Sequence, residues 1–216
     1  MTRRPGAIEL QGLHPLKHAL RFGARVERAV ADDPARVVAL ARELAPDVAG
    51  VVAAVVREGD SGDFDVVAWA DRPAPRPLGP GPVVLLDGPR RLGNVGAAIR
   101  VAAAAGAGGV LVRGDADPWH PVAVRGAAGL QYALPVERAD DGLPARPLVA
   151  LDPAGGPLHD VPAGALLAFG AERHGLSAAI RERADLTCAL PMAPGVSSLN
   201  LATALAATLY LLRATS

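Results

Sequence analysis

Val83-Val84-Leu85-Leu86-Asp87-Gly88-Pro89-Arg90-Arg91-Leu92-Gly93-Asn94-Val95-Gly96-Ala97-Ala98-Ile99-Arg100 is the stretch on which the fold turns. Residues 83–86 are an unbroken apolar run, the pattern of a strand covered on both faces. A Gly/Pro loop carrying two arginines follows. The small apolar residues after it predict a helix over 94–105, with Asn94 at its opening. Strand, loop and helix in that order make the βα unit of a parallel sheet.

The alternation continues downstream. Strands are expected over 109–112, 148–151, 165–169 and 186–190, with helices over 177–183 and 198–213. An α/β fold with a mostly parallel sheet follows. Ligands in such sheets gather at the carboxyl ends of the strands. Upstream, the proline- and glycine-dense segment 73–82 reads as a stiff connector, because proline fixes φ and removes a backbone donor. It separates a smaller unit, 1–72, from a larger one, 83–216. The smaller unit predicts helices over 15–22 and 34–44, the second capped by Asp33. Strands are expected there over 25–29, 51–56 and 65–70.

Composition narrows the function. Half of the 216 residues are hydrophobic, enough for a real core. The 22 basic and 22 acidic residues cancel, so any nucleic-acid contact must be a local patch. Aromatic residues are 3%, too few for rows of stacked rings. The single cysteine, Cys188, excludes a disulfide framework and a multi-cysteine metal site. It fits a reducing cytoplasm and reads as a packed strand residue. No signal-peptide pattern opens the chain. The apolar run 199–212 falls short of the ~20 residues of a membrane span.

Three loops at strand ends have unusual composition. In the first, Asn94 is either a plain N-cap or a site residue. Arg100 lies about 9 Å further along the helix, the lone charge among Ala, Val and Ile. The second is Gly170-Ala171-Glu172-Arg173-His174-Gly175, either a tight turn with exposed polar side chains or a loop that lets backbone approach a ligand. The third is Leu190-Pro191-Met192-Ala193-Pro194-Gly195-Val196-Ser197-Ser198-Leu199-Asn200. There Ser197 or Ser198 could cap the last helix, but Asn200 is a polar residue entering an apolar helix and requires a partner. A P-loop is excluded, since the only lysine, Lys17, follows Leu16 rather than glycine; Gly106-x-Gly108 lacks the third glycine of a dinucleotide fingerprint, and no Gly-x-Ser-x-Gly elbow occurs.

In this order and spacing the three loops resemble the motifs of the SpoU/TrmH branch of the SPOUT RNA methyltransferases. The match covers Asn94-x-Gly96-x-x-x-Arg100, Gly170-x-Glu172-x-x-Gly175, and Leu190-Pro191-Met192 with Ser198-Leu199-Asn200. The segment before the connector is more loosely similar to the small L30e-like substrate-binding domain that often precedes such a catalytic domain. The resemblance implies a deep trefoil knot and a homodimer formed through the catalytic domain. It also implies S-adenosylmethionine as cofactor and methylation of a ribose 2′-hydroxyl of rRNA or tRNA. By the same token Gly170, Leu190, Met192 and Leu199 would hold the cofactor, with no metal. Arg100 would sit at the ribose, and Asn94, Glu172, Ser198 and Asn200 would orient it, the ribose or the cofactor. A guanidinium stays protonated, so Arg100 reads as a phosphate clamp that polarises the hydroxyl. Arg125-Gly126-Ala127-Ala128-Gly129 departs from the family's pattern. RNA would meet Arg3, Arg4, Lys17, Arg21, Arg25 and Arg28, with Arg90 and Arg91 as a second patch. The alternative is a non-catalytic RNA-binding protein that kept the fold; Asn94, Arg100, Glu172, Ser198 and Asn200 occurring together argue against it.

Overall fold

The computed structural model describes residues 6–139 and 142–214. The first part of the chain runs β1 (Ile8–Gln11), α1 (Leu13–Arg21), β2 (Val26–Ala31), α2 (Pro34–Leu44), α3 (Ala49–Val55), β3 (Val56–Glu58) and β4 (Val67–Ala70). The second part begins with β5 (Val83–Asp87), α4 (Leu92–Ala104), β6 (Gly109–Arg113) and α5 (Pro121–Gly126). A 3-10 turn (Leu130–Tyr132) and β7 (Val136–Arg138) follow. The chain closes through β8 (Leu148–Pro157), β9 (Leu166–Gly170), α6 (Ala178–Arg183), β10 (Leu186–Ala189) and α7 (Leu201–Ala214).

The second part forms a six-stranded sheet, β10-β8-β9-β5-β6-β7, in which every pairing is parallel. All five residues of β5 are buried. Its side chains alternate between two layers, as the twofold strand period requires. Val84 and Leu86 join the core that includes Ile99 of α4 and Leu205 of α7. Val83 and Leu85 join a second core with Ile180 of α6. Each leucine or isoleucine fully buried in these layers contributes roughly 1.5–3 kcal/mol. The first part forms a four-stranded mixed sheet, β1-β4-β2-β3. Its Leu10, Val37 and Val52 belong to the same apolar cluster as Val84 and Ile99.

Segment 73–82 carries neither helix nor strand. Two arginines without acids fix it. Arg76 donates to the carbonyls of Tyr132 and Leu134 at 3.0 and 2.7 Å, and Arg146 donates to those of Gly79 and Gly81 at 2.7 and 3.1 Å.

Asp33 caps α2 as the sequence predicts, accepting from the Arg36 amide at 2.9 Å. Helix α1 opens at Leu13, two residues before the expected start, and α6 one residue after it; two further helices of the site open at different places from those expected. The first of them, α4, starts at Leu92, with Arg91 at the cap position and no side-chain cap bond, so Asn94 is not a cap. The other, α7, starts at Leu201, and Asn200, not Ser198, caps it by accepting from the Ala202 amide at 2.9 Å. The strand expected over 51–56 is instead the helix α3, and only Val56 continues into β3. Helices α4 and α5 cross backbone to backbone. A Cβ on Gly96 would overlap the Ala123 carbonyl, and one on Gly126 would lie 3.3 Å from the Gly96 Cα.

Candidate active site

A cavity of about 650 Å³ lies between the end of β9, the outer half of β8 and the start of α7. That volume falls in the range of small-molecule and cofactor pockets. Of the nine residues named from sequence, eight line it: Asn94, Gly170, Glu172, Leu190, Met192, Ser198, Leu199 and Asn200. Leu151, Phe169 and Leu201 add apolar wall, while Asp152, Arg91 and Arg173 add charge.

Local chain geometry explains why these residues meet. In-register pairing sets the last residues of β5 and β9, Asp87 and Gly170, side by side. Beyond Gly170 the chain turns tightly, with Ala171 and Gly175 exchanging backbone bonds of 3.0 and 2.9 Å. A Cβ on Gly170 would run into the backbone of Gly175 and Leu176, so only glycine allows this turn to close. The turn holds Glu172 over the start of α4.

Glu172 accepts from the Asn94 side-chain amide at 2.8 Å and from the Arg90 amide at 3.4 Å. Asn94 in turn accepts from the Asn200 side-chain amide at 3.5 Å, a long bond. Glu172, Asn94 and Asn200 thus tie the three loops into one polar chain. Partial burial pushes the Glu172 pKa up. Hydrogen bonds from its own amide, from Asn94 and from the amides of Arg90 and Arg91 outweigh this and hold it below the ordinary carboxylate value. Glu172 is therefore an anion at neutral pH.

Beside Gly170 lies an ion pair, buried only on its aspartate side, to which the sequence reading gave no role. Asp87, 4% exposed, accepts from Arg113 at 3.0 Å and from the Ser177 amide at 2.7 Å. Arg113 also donates to the Ser177 hydroxyl at 3.1 Å. An aspartate closing an otherwise apolar strand was the available signal, since a buried charge demands a partner. On the opposite wall, Arg181 holds Asp152 at 3.0 Å. Cys188 is buried against the cavity, and burial pushes its thiol pKa up despite a backbone hydrogen bond from His159.

Arg100 does not line this cavity. It projects from the exposed side of α4, near enough to His14 of α1 to influence its titration. Within one chain the structure therefore separates Arg100 from the eight residues it was grouped with. Among the described residues no cluster of three or more His, Cys, Asp or Glu could hold a metal ion, and no helix is long and apolar enough to cross a membrane.

The SpoU rRNA methylase family model matches residues 81–210. A 23S rRNA (uridine(2479)-2′-O)-methyltransferase from Streptomyces viridochromogenes is 32% identical over 96% of this chain and 82% of its own length. A 23S rRNA (guanosine-2′-O-)-methyltransferase from Pseudomonas syringae pv. tomato is 32% identical over 78% of this chain and 72% of its own. Among solved structures, the SpoU methyltransferase AviRb from Streptomyces viridochromogenes, in complex with the cofactor AdoMet, superposes with a TM-score of 0.76. It is 30% identical, and the match covers 98% of this chain and 91% of that one.

Proposed function

This chain belongs to the SpoU rRNA methylase family, and we propose that it transfers a methyl group from S-adenosylmethionine to a ribose 2′-hydroxyl of 23S ribosomal RNA. One observation carries the reading: three loops distant in sequence meet in a single cavity, joined through Glu172, Asn94 and Asn200. The relatives' activity on 23S rRNA supports the choice of substrate over tRNA.

The cavity fits the cofactor by size and by donor set. Leu151, Phe169, Leu190, Met192 and Leu199 give an apolar bed for an adenosyl group, Gly170 brings backbone close, and Asp152 and Glu172 match a cationic ligand. When bound, S-adenosylmethionine supplies an electrophilic methyl on a positively charged sulfur. The protein's part is to hold the sugar oxygen in line with that methyl, and orientation of this kind accounts for much of the barrier reduction in such displacements. Arg100, always protonated, holds a phosphate beside the target ribose and polarises its hydroxyl. Asn94, Glu172, Ser198 and Asn200 orient the reacting groups. A non-catalytic RNA-binding protein would have no use for such a cavity.

The remaining parts of the reading are structural. The chain leaves β9, crosses to β10 beyond β8, and returns to pack α7 on α4, a route that supports a C-terminal trefoil knot. Leu199, Tyr210 and Leu211 are 44%, 50% and 48% exposed. They support a homodimer through α7, in which a second copy brings its Arg100 to this cavity. Residues 1–72 act as an L30e-like substrate-binding unit, and the lone buried thiol suits the cytoplasm.

Calorimetry with S-adenosylmethionine, followed by tritiated methyl transfer to a 23S rRNA transcript, tests the function. Cofactor binding with 2′-O-methylated product is the expected result; absence of cofactor binding would overturn it.

A further inference from the structure

The basic residues that the sequence marks for RNA do not form one patch. Arg21 is held by Asp47 through two bonds of 2.6 Å. Arg28 lies over the Trp69 ring at 5.6 Å, and Arg3 and Arg4 fall outside the described residues. Outside that set, Arg125 donates to Gln11 at 2.6 Å, and Gln11 in turn donates to Glu9 at 2.8 Å.

His14, Lys17 and Arg100 behave differently. Among the described residues none of the three has a side-chain hydrogen bond or an ion pair, and the fold brings them together. Helices α1 and α4 both rest on the Leu130–Tyr132 turn. The first is pinned there by His18, whose Nδ1 lies 2.7 Å from the Ala128 carbonyl oxygen. Leu13, Pro15, Leu16 and Ala19 face the core, which leaves His14 and Lys17 one helical turn apart on the outer side. Val95, Ala98, Ile99 and Ala102 face the core from α4, which turns Arg100 outward.

We propose that His14, Lys17 and Arg100 form one phosphate-binding strip across the seam between the N-terminal unit and α4, gripping the substrate RNA's backbone beside the target ribose. The proposal rests on the reading of the chain as an RNA methyltransferase, and continuity with Arg100 selects RNA over an acidic protein. Local electrostatics agree. Burial pulls the His14 pKa down, Lys17 and Arg100 pull it further, and only Asp65 opposes them. A phosphate on the strip relieves that repulsion.

The experiment compares the full-length wild type with Lys17→Ala, Lys17→Glu, His14→Ala and the control Arg183→Ala, whose helix α6 packs in the other apolar layer, away from α4. The probe is an unmodified 23S rRNA transcript, with S-adenosylmethionine affinity measured in parallel. One lost phosphate contact lowers the salt slope by about 0.9, which at 0.1 M salt is an RNA affinity about eightfold weaker than one referred to 1 M. Lys17→Ala should show that loss as a raised KM for RNA, with kcat and cofactor affinity unchanged. Lys17→Glu should lose more, and Arg183→Ala nothing. The wild-type to His14→Ala ratio should grow as pH falls from 8 to 6, with Lys17, Arg100, Asp65 and His18 as the charges around that ring. Unchanged KM and salt slope in Lys17→Glu, with the wild type still methylating RNA, overturns the strip and leaves the methyltransferase reading intact. A wild type that binds cofactor but neither binds nor methylates RNA overturns both. Lys17→Glu losing binding to polyglutamate but not to RNA overturns the assignment of the partner.

Discussion

Asn94 donates its side-chain amide to Glu172 across 2.8 Å, and the two residues stand 78 positions apart in the chain. That single bond joins the opening of α4 to the turn after β9. A hydrogen bond to a charged group is worth about 1.5–3 kcal/mol, so Glu172→Ala and Asn94→Ala should each lower kcat/KM for methyl transfer by about 10- to 100-fold. The Glu172 carboxyl, followed by NMR, should titrate below the ordinary glutamate value in wild type and rise in Asn94→Ala. A carboxylate with a depressed folded pKa stabilises the fold above its unfolded pKa and loses that contribution as pH falls through the folded value. The site should therefore loosen on acidification, not on alkalinisation.

Gly170→Ala places a methyl group against the backbone of Gly175 and Leu176. Overpacking of this kind costs about 1–3 kcal/mol, a fall of roughly 2–12 °C in Tm for a chain of this size. Calorimetry should show lost S-adenosylmethionine binding in protein that is still folded. Retained binding at wild-type Tm would contradict the geometry of the turn.

Asp87→Ala removes the acceptor of Arg113 and of the Ser177 amide. The Arg113 side chain is 39% exposed and is hydrated when freed, so the cost is that of the lost hydrogen bonds to a charged group, about 1.5–3 kcal/mol, or roughly 3–12 °C in Tm. Differential scanning calorimetry reads this directly. Cofactor affinity should fall too, because α6 and the turn before it lose their anchor.

Arg100→Ala should abolish methyl transfer and leave cofactor affinity nearly unchanged, since Arg100 lies outside the cavity of its own chain. Mixing this variant with Glu172→Ala tests the dimer. If each cavity uses the partner's arginine, mixed dimers contain one intact site and regain activity; two inactive variants that stay inactive when mixed would count against a shared site.

The sheet that carries the site was legible because β5, β6 and β9 are apolar up to their last residue, and no helical period competes with such short runs bounded by Gly and Pro. The three loops were legible by composition, and eight of their nine marked residues do share the cavity. What escaped had physical reasons. Residues 49–55 are Ala, Gly and Val only, a composition in which strand and helix are not separated by pattern, and packing against α2 decided for helix. β1 is four residues long, too short for alternation to declare itself. Helix α5 went unread although its start carries a signal, Pro121 after the capping residue His120. The start of α4 was set two residues late, at Asn94, because Arg91, with no capping side chain, holds the cap position. The outward bearing of Arg100 follows from helix phase, set by how α4 seats on α5, and no local pattern reveals it.

That seating has a further consequence. Gly96 and Gly126 let the two helices touch main chain to main chain, and a rod held that closely has no freedom to roll. The heading of the Arg100 guanidinium is thus fixed by two absent methyl groups. A chance Gly96→Ser change would disarm the protein from a position that meets neither nucleotide nor methyl donor.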